Sequence, residues 1–245
     1  LNLNFFWLKR KLISLQYTLF MKLRFLFLSI LFVIGCSYGL EGEEVSSEAD
    51  NTVDSSGSET DPDKYSDSTS SGNTTYYISF SLGDDTNDGK SESNAFKNLG
   101  KINSITFAPG DKIKFKSGDS WKGYFKLRGS GNEISPIIIE SYGSSVKPII
   151  DGNGYQASIF LENVEYIEIN NFELKNESSH KKSDGSEKLM NGSNRLGQNE
   201  RFGILALRFG AGKNINHLKF SNIKIANIYP TPTERSYNHQ GYGIR

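Results

Sequence analysis

Apolar and polar residues alternate with period two along residues 163–176, NVEYIEINNFELKN, and the alternation breaks once, at Asn170-Asn171. The pattern returns 51 residues later in residues 214–227, NINHLKFSNIKIAN. Aligned without gaps, the two copies share three asparagines and keep all five apolar positions: Val164/Ile215, Ile167/Leu218, Ile169/Phe220, Phe172/Ile223 and Leu174/Ile225. Such alternation predicts two short strands joined by a tight bend in each copy.

A strand pattern that repeats at a fixed period predicts a stacked β-solenoid, because one such unit cannot bury its apolar face alone. Further short strands, separated by Gly, Ser or Asn turns, are predicted upstream at residues 76–80, 113–115, 124–127, 136–142 and 147–150. The apolar run Ile137-Ile138-Ile139 is typical of a strand that is covered on both faces. No helix of useful length is predicted after Ile105, which excludes a βαβ architecture.

A short amphipathic helix is predicted at the start of the domain. Ser93 and Asn94 can cap its N-terminus, and the helix then places three apolar residues on one face: Phe96, Leu99 and Ile102. In this position the helix would cover the first turn of the solenoid, whose edge groups are otherwise unpaired.

Residues 83–89, GDDTNDG, have the Asp, Asn and Gly density of a tight turn. Their spacing also resembles part of an EF-hand calcium loop, but Ala95 stands where such a loop carries its twelfth-position glutamate. We therefore interpret this segment as a structural turn.

The N-terminal region is predicted to be an export signal. Met21 opens the run MKLRFLFLSILFVIGCS, in which basic residues precede an apolar stretch that is too short to cross a bilayer. Residues 33–36, VIGC, resemble a bacterial lipobox, so we predict a lipoprotein signal peptide over residues 21–35 and lipidation of Cys36. Cys36 is the single cysteine, which excludes an intramolecular disulfide. Residues 1–20 are treated as upstream, non-structural sequence.

Charge is spread unevenly along a chain whose formal net charge is zero. Residues 41–75 hold ten acidic residues and one lysine, with almost no apolar residue. Such a segment cannot offset its ordering entropy by burial, so residues 36–75 are predicted to be a disordered, acidic, Ser/Thr-rich tether. Residues 76–245 carry 22 Lys/Arg against 18 Asp/Glu, a small surplus that is compatible with an anionic glycan. They hold no basic stripe with interleaved aromatics, so a nucleic-acid partner is not expected.

The motif order YYIS, GDDTNDG, AFKNLGKIN, PGDKIKFKSGDSWKG, SPIIIESYG and KPIIDGNG runs through residues 76–154. It resembles the N-terminal part of secreted right-handed parallel β-helix proteins, the pectate-lyase-like proteins of polysaccharide-degrading bacteria. The resemblance covers residues 76–245 and implies an all-β, right-handed parallel β-helix. It also implies an extracellular carbohydrate-active protein: a lyase of pectin, alginate or a related uronate, a glycoside hydrolase, or a member without activity.

Two insertions follow the two copies of the repeat, in residues 177–200 and 229–240. Because both leave the same point of the repeat, we expect them at the same corner of the solenoid, where solenoids build binding surfaces. Their polar residues are the catalytic candidates: His180, Lys181, Asp184, Glu234, Arg235 and His239. Glu168 and Glu173, by contrast, align with lysines of the second copy, and we interpret them as charge pairs on a solvated outer face.

A similar restart follows each insertion, in residues 201–204, RFGI, and in residues 241–244, GYGI. The second restart stops at Arg245, which would leave a strand edge uncovered. From this we expect a C-terminally incomplete domain, with further turns of the solenoid and some catalytic groups beyond Arg245.

The leading functional hypothesis is a polysaccharide lyase that cleaves a uronate-containing polysaccharide by β-elimination. A Lys, Arg or His would take the proton α to the uronate carboxylate, which Arg or a Ca²⁺ ion would neutralise. The alternatives are a glycoside hydrolase with two carboxylates and a non-catalytic glycan-binding or adhesin β-helix. Apart from Ca²⁺ no cofactor is expected, because the sequence has no His-rich metal motif, nucleophile elbow or dinucleotide loop. We expect a monomer at the outer membrane or cell surface, held to the membrane by its lipid anchor.

Overall fold

The computed structural model describes residues 64–179, 200–229 and 240–245. Within these residues the chain is almost entirely β-structure, and every strand pairing is parallel. The strands are β1 (Ser68–Thr69), β2 (Thr75–Ile78), β3 (Ile105–Phe107), β4 (Lys112–Lys116), β5 (Ser120–Lys122), β6 (Phe125–Gly129), β7 (Ile137–Tyr142), β8 (Ile149–Asp151), β9 (Ala157–Glu162), β10 (Glu165–Asn170), β11 (Glu173–Asn176), β12 (Glu200–Leu207), β13 (Asn216–Ser221), β14 (Lys224–Ile228) and β15 (Gln240–Ile244).

The strands form three sheets. Sheet A has the order β1-β3-β6-β9-β12-β15, sheet B the order β13-β10-β7-β4-β2, and sheet C the order β14-β11-β8-β5. From β3 onward, consecutive strands pass from sheet A to sheet B to sheet C, and the next strand returns to sheet A beside its predecessor. Each such circuit is one rung, and β9, β10 and β11 make up one of them. The predicted parallel β-helix is therefore confirmed.

The sequence repeat corresponds to the pairing of two neighbouring rungs. β10 pairs with β13 so that Ile167 lies beside Leu218, and β11 pairs with β14 so that Leu174 lies beside Ile225. The offset of 51 residues therefore holds across both sheets. It fails at the end of β11, where Asn176 lies beside Ile228 and not beside Asn227. Asn227 has a φ of 55° and adds one residue to its strand, as in a β-bulge.

The interior between the three sheets holds the main hydrophobic core. The apolar residues of the first repeat copy are all at most 1% exposed: Val164, Ile167, Ile169, Phe172 and Leu174. The Phe115 ring meets three other rings edge to face, with centroids 5.1–5.5 Å away: Trp121, Phe125 and Phe172. Edge-to-face contacts of this kind stabilise a core beyond the area that they bury. The prediction for residues 137–139 was partly wrong, because Ile138 points outward and is only half-buried.

The bend between sheets B and C is made by one left-handed asparagine in each copy. Asn171 has a φ of 66° and Asn222 a φ of 54°, a conformation that asparagine adopts more readily than most residues. Asn222 Nδ2 donates to Asn171 Oδ1 at 2.7 Å, and Lys147 Nζ donates to the same oxygen at 2.7 Å. We call residues 171–172 and 222–223 the B–C bend.

The predicted N-terminal helix is present but shorter and later in the chain. It is α1 (Leu99–Asn103), and within the described residues no helix is long and apolar enough to cross a bilayer. Ser93 and Asn94 do not cap it, since they lie in a separate 3-10 helix (Glu92–Asn94), which Ser91 caps. The three predicted apolar residues are buried: Phe96, Leu99 and Ile102.

The folded domain begins before residue 76, which corrects the predicted end of the tether at residue 75. β1 pairs with β3, and Asp67 accepts two hydrogen bonds from Arg128 at 2.6 and 2.9 Å. The Arg128 guanidinium holds the pKa of Asp67 below its ordinary value. Composition does not reveal this strand because its pairing uses backbone groups and not apolar side chains. Cys36 and the predicted signal peptide lie outside the described residues.

Candidate functional site

Three successive connections run from sheet C to sheet A. They are residues 152–156 between β8 and β9, residues 177–199 between β11 and β12, and residues 229–239 between β14 and β15. Both insertions therefore start from sheet C and return to sheet A on neighbouring rungs, as predicted. We call this edge of the solenoid the C–A corner.

The six catalytic candidates from the sequence lie outside the described residues: His180, Lys181, Asp184, Glu234, Arg235 and His239. Their positions in the chain place them in the two insertions of the C–A corner. The described part of the corner consists of residues 152–156, the first residues of each insertion and the strands to which the insertions return.

Asn176, which is fully buried, organises the described part of the corner. Its Oδ1 accepts from the Gly154 backbone N–H at 3.0 Å, and its Nδ2 donates to the Tyr155 carbonyl at 2.7 Å. Gly154 has a φ of 81°, and a Cβ there would stand 1.7 Å from the Ser179 carbonyl oxygen. Residues 152–156 therefore pack directly against the first residues of the first insertion, with no space for a side chain between them.

A carboxylate and a phenol join the first residues of the two insertions. Tyr229 Oη donates to Glu177 Oε1 at 2.7 Å, and the Tyr229 backbone N–H donates to the Asn176 carbonyl at 3.2 Å. Both side chains are exposed; 38% of Tyr229 is accessible to solvent. The pair thus presents an anionic acceptor and an aromatic ring at the surface of the C–A corner.

A second apolar cluster, separate from the interior core, lies along sheet A and its approach from the C–A corner. Its buried members are Tyr124, Ala157, Phe160, Phe202 and Leu205, and the partly buried residues packed against them are Tyr155, Leu207 and Tyr242. The rings of Tyr124 and Tyr155 are 5.0 Å apart, and those of Phe202 and Tyr242 are stacked at 5.2 Å. The corner therefore continues into an aromatic cluster that is mostly buried.

Two ion pairs border this cluster. Lys126 pairs with Glu162 at 3.1 Å and lies 5.2 Å from the centre of the Phe160 ring. Arg245 pairs with Glu200 at 3.3 Å and lies over the stacked rings of Phe202 and Tyr242. The partly buried ring of Tyr242 thus lies close to a paired charge at this edge of the solenoid.

The outer faces of sheets B and C carry the ion pairs that the sequence alignment predicted. Lys219 pairs with Glu168 at 3.2 Å, and Lys224 pairs with Glu173 at 3.1 Å. Burial alone would raise the pKa of Glu173, but hydrogen bonds from Lys224 and Lys175 outweigh it and hold the pKa below its ordinary value. The prediction of charge pairs between neighbouring rungs is confirmed.

Metal binding finds no support in the described residues, where no group of three or more His, Cys, Asp or Glu side chains is placed to hold an ion. In the turn at residues 83–89, Asp84 Oδ1 accepts from the backbone N–H and the hydroxyl of Thr86. The backbone N–H of Thr86 lowers the pKa of Asp84. Such bonds are those of a structural Asx turn, and calcium binding stays a prediction.

A large pKa shift in the described residues belongs to Tyr142, which lies away from the C–A corner. Burial, followed by the negative charges of Glu92 and Asp119, raises the pKa of Tyr142 to about 12. A tyrosine raised so far stays protonated and neutral at physiological pH. Although shifted pKa values often mark functional sites, burial is the main cause here, and a structural role explains it.

Glu177 and Tyr229 were not singled out by the sequence. They stand 52 positions apart, whereas the repeat aligns residues 51 apart, so the gapless alignment does not pair them. The bulge at Asn227 supplies the extra residue. A gap allowed at the third shared asparagine would have brought the two together.

The fold defines a parallel β-helix protein whose candidate binding site is the irregular C–A corner. No family model matches the chain. The chain is 32% identical over 139 residues to a lacto-N-biosidase of Bifidobacterium longum subsp. longum, a match that takes in 45% of this chain and 9% of that protein.

Two crystal structures of a GH136 lacto-N-biosidase from Eubacterium ramulus are similar in fold. The selenomethionine derivative has a TM-score of 0.53 and the native protein a TM-score of 0.52. Each is 23% identical and covers 70% of this chain and 30% of that chain. This chain thus spans less than a third of the length of these relatives. The β-helix part of the family resemblance is confirmed, while these neighbours are not pectate lyases.

Proposed function

We propose that this chain belongs to a glycoside hydrolase that acts on glycans containing lacto-N-biose. The observation that carries the proposal is the 32% identity with a lacto-N-biosidase over 139 residues. The C–A corner supports it independently, because an exposed carboxylate and an exposed phenol, those of Glu177 and Tyr229, lie together there on one edge of the solenoid. The proposal takes up the hydrolase alternative in place of the lyase.

The charges of the described corner also favour a hydrolase over a uronate lyase. A lyase must neutralise a substrate carboxylate with a cation. Lys126 and Arg245, which border the aromatic cluster, are each already paired with a glutamate. Glu177 adds a carboxylate that accepts a hydrogen bond from the neutral phenol of Tyr229. The exposed Glu177 carboxylate suits a neutral sugar better than an anionic one.

Among the catalytic candidates, Asp184 and Glu234 carry the carboxyl groups that a glycoside hydrolase uses. One would protonate the leaving oxygen, and the other would act as nucleophile or as base for water. His180, Lys181, Arg235 and His239 would then bind substrate hydroxyls. Replacing Asp184 with Asn or Glu234 with Gln should lower kcat by about 10²-fold or more, because acid–base groups contribute about 10²–10⁴-fold.

The experiment incubates the full chain with an aryl lacto-N-bioside and, separately, with pectin and alginate. Release of lacto-N-biose without the ultraviolet absorbance of unsaturated uronates is the expected result. Unsaturated products from pectin or alginate would establish the lyase instead. Binding of lacto-N-biose without cleavage of any substrate would establish a non-catalytic glycan-binding protein and overturn the proposed hydrolysis.

The proposed location is the cell surface, through a lipid on Cys36. The support is the lipobox-like run VIGC behind a basic and apolar segment. Expression of the chain in a Gram-negative host should place it in the membrane fraction, and Cys36→Ala should release it. Equal membrane recovery of both proteins would contradict lipid anchoring.

A further inference from the structure

We propose that Glu177 and the ring of Tyr229 form a subsite for a neutral sugar at the C–A corner, beside the connection that carries Tyr155. The subsite deepens the proposed function, on which it rests for the choice of glycan. The residues that form the subsite all lie within the part of the chain that the structure describes.

The site lies where three successive connections of the corner meet. Tyr155 lies in residues 152–156, Glu177 is the first residue after β11, and Tyr229 is the first residue after β14. Gly154 packs against the backbone of Ser178 and Ser179, which brings the first two connections into contact. The Tyr229–Glu177 hydrogen bond of 2.7 Å joins the second and third.

The subsite is held in place before any ligand binds. Asn176, fully buried, bonds to the backbone of Gly154, Tyr155 and Tyr229 and therefore fixes all three connections relative to one another. The Tyr155 ring is further supported by the ring of Tyr124 at 5.0 Å. A site whose groups are positioned by rigid neighbours loses little entropy when it binds.

The chemistry of these groups suits a sugar. An ionised carboxylate accepts strong hydrogen bonds from hydroxyl groups, and an aromatic ring packs against the apolar C–H face of a pyranose. Glu177 accepts its hydrogen bond from a neutral phenol and not from a cation, so that contact does not compensate its negative charge. That charge attracts hydroxyl donors and repels the carboxylate of a uronate.

If its role were purely structural, the Glu177–Tyr229 hydrogen bond would only hold the two insertions together. Glu177→Gln separates the two roles, because the amide oxygen still accepts from the Tyr229 hydroxyl while the charge is lost. A purely structural role predicts that Glu177→Gln leaves glycan binding unchanged. The subsite predicts weaker binding with an unchanged melting temperature.

The test measures binding of lacto-N-biose and of digalacturonate to the full chain by calorimetric titration. Glu168→Gln is the matched control, since it makes the same change on the same rung at the outer face of sheet B. Glu177→Gln should weaken lacto-N-biose binding about tenfold, the loss of one charge-assisted hydrogen bond, and Glu168→Gln should not. Digalacturonate should bind the unaltered chain more weakly than lacto-N-biose does.

The subsite is overturned if lacto-N-biose does not bind, if digalacturonate binds as tightly, or if Glu177→Gln and Glu168→Gln behave alike. Its failure is distinguishable from that of the hydrolase. Cleavage of a lacto-N-bioside with an unchanged KM in Glu177→Gln removes the subsite and keeps the enzyme. Glu177-dependent binding without cleavage keeps the subsite and removes the enzyme.

Discussion

In the two rungs of the repeat, the B–C bend and the C–A corner lie at opposite ends of β11 and β14, and only the corner carries long connections. The bend is residues 171–172 in one rung and 222–223 in the next, whereas the corner lengthens from residues 152–156 to residues 177–199. At the bend, the side chains of the two left-handed asparagines, Asn171 and Asn222, are hydrogen-bonded to each other across neighbouring rungs. An insertion there would break this hydrogen bond. At the corner, the Asn176 side chain forms hydrogen bonds with the backbone of residues 154 and 155, at the base of the connections. The length of the connections can therefore vary without breaking these bonds.

The largest expected effect comes from the core beneath the bend. Phe172→Ala should lower the free energy of unfolding by about 3–5 kcal/mol, because it removes a fully buried ring that packs on Phe115. Chemical denaturation measures this loss. Phe209→Ala is the control, since Phe209 is 74% exposed and should change stability by less than about 0.5 kcal/mol. Equal effects of the two changes would contradict the placement of the core.

Substitution of the two asparagines separates the bend from the corner. Asn171→Ala and Asn176→Ala should each cost about 1–3 kcal/mol, since each leaves hydrogen-bonding partners unsatisfied. Only Asn176→Ala should also weaken lacto-N-biose binding, because it loosens the connections that carry Glu177 and Tyr155. Asn171→Gly should recover about 1 kcal/mol of the Asn171→Ala loss, since glycine tolerates the left-handed backbone. Equal binding losses for both alanine variants would contradict the division between bend and corner.

The ion pairs of Glu173 give a smaller, pH-dependent effect. Its pKa in the folded chain is lower than the ordinary value of 4.5, so its contribution is complete above that value and is lost as pH falls through the lowered pKa. Glu173→Gln should therefore reduce the acid sensitivity of unfolding below about pH 4.5 by less than about 1 kcal/mol. Melting curves at several pH values test this. Parallel pH profiles for both proteins would show that these ion pairs do not contribute.

The smallest effect is expected at Glu168, where the partner Lys219 is 66% exposed. Glu168→Gln should change the free energy of unfolding by no more than about 0.5 kcal/mol, because an exposed ion pair gains little over its solvated groups. A loss above about 2 kcal/mol in chemical denaturation would show that the outer face of sheet B carries more of the stability than its exposure indicates.

Much of the fold could be predicted because strand pairing and burial both follow the period of the repeat. The alignment of Ile167 with Leu218 is also their register in sheet B. Backbone features without a compositional signal could not be predicted. Tyr166 and His217 both have a positive φ and stack their rings at 4.2 Å, although tyrosine rarely adopts that conformation.

The sequence predicted where the candidate site lies on the solenoid, but not which described residues form it. Insertions after both repeat copies located the C–A corner, because equivalent points of a solenoid stack on one another. Pairing of Glu177 with Tyr229 depends on the extra residue at Asn227, and a bulge of one residue leaves no mark in a pattern of apolar positions. The six polar candidates in the insertions remain predictions.

The most direct test of the distinction between bend and corner is an amide chemical-shift map of the full chain titrated with lacto-N-biose. Residues 152–156, Glu177 and Tyr229 should shift with a common saturation curve, while residues 171–172 and 222–223 stay unchanged. Shifts concentrated at the B–C bend, or none at the corner, would contradict the assignment of the glycan site to the C–A corner.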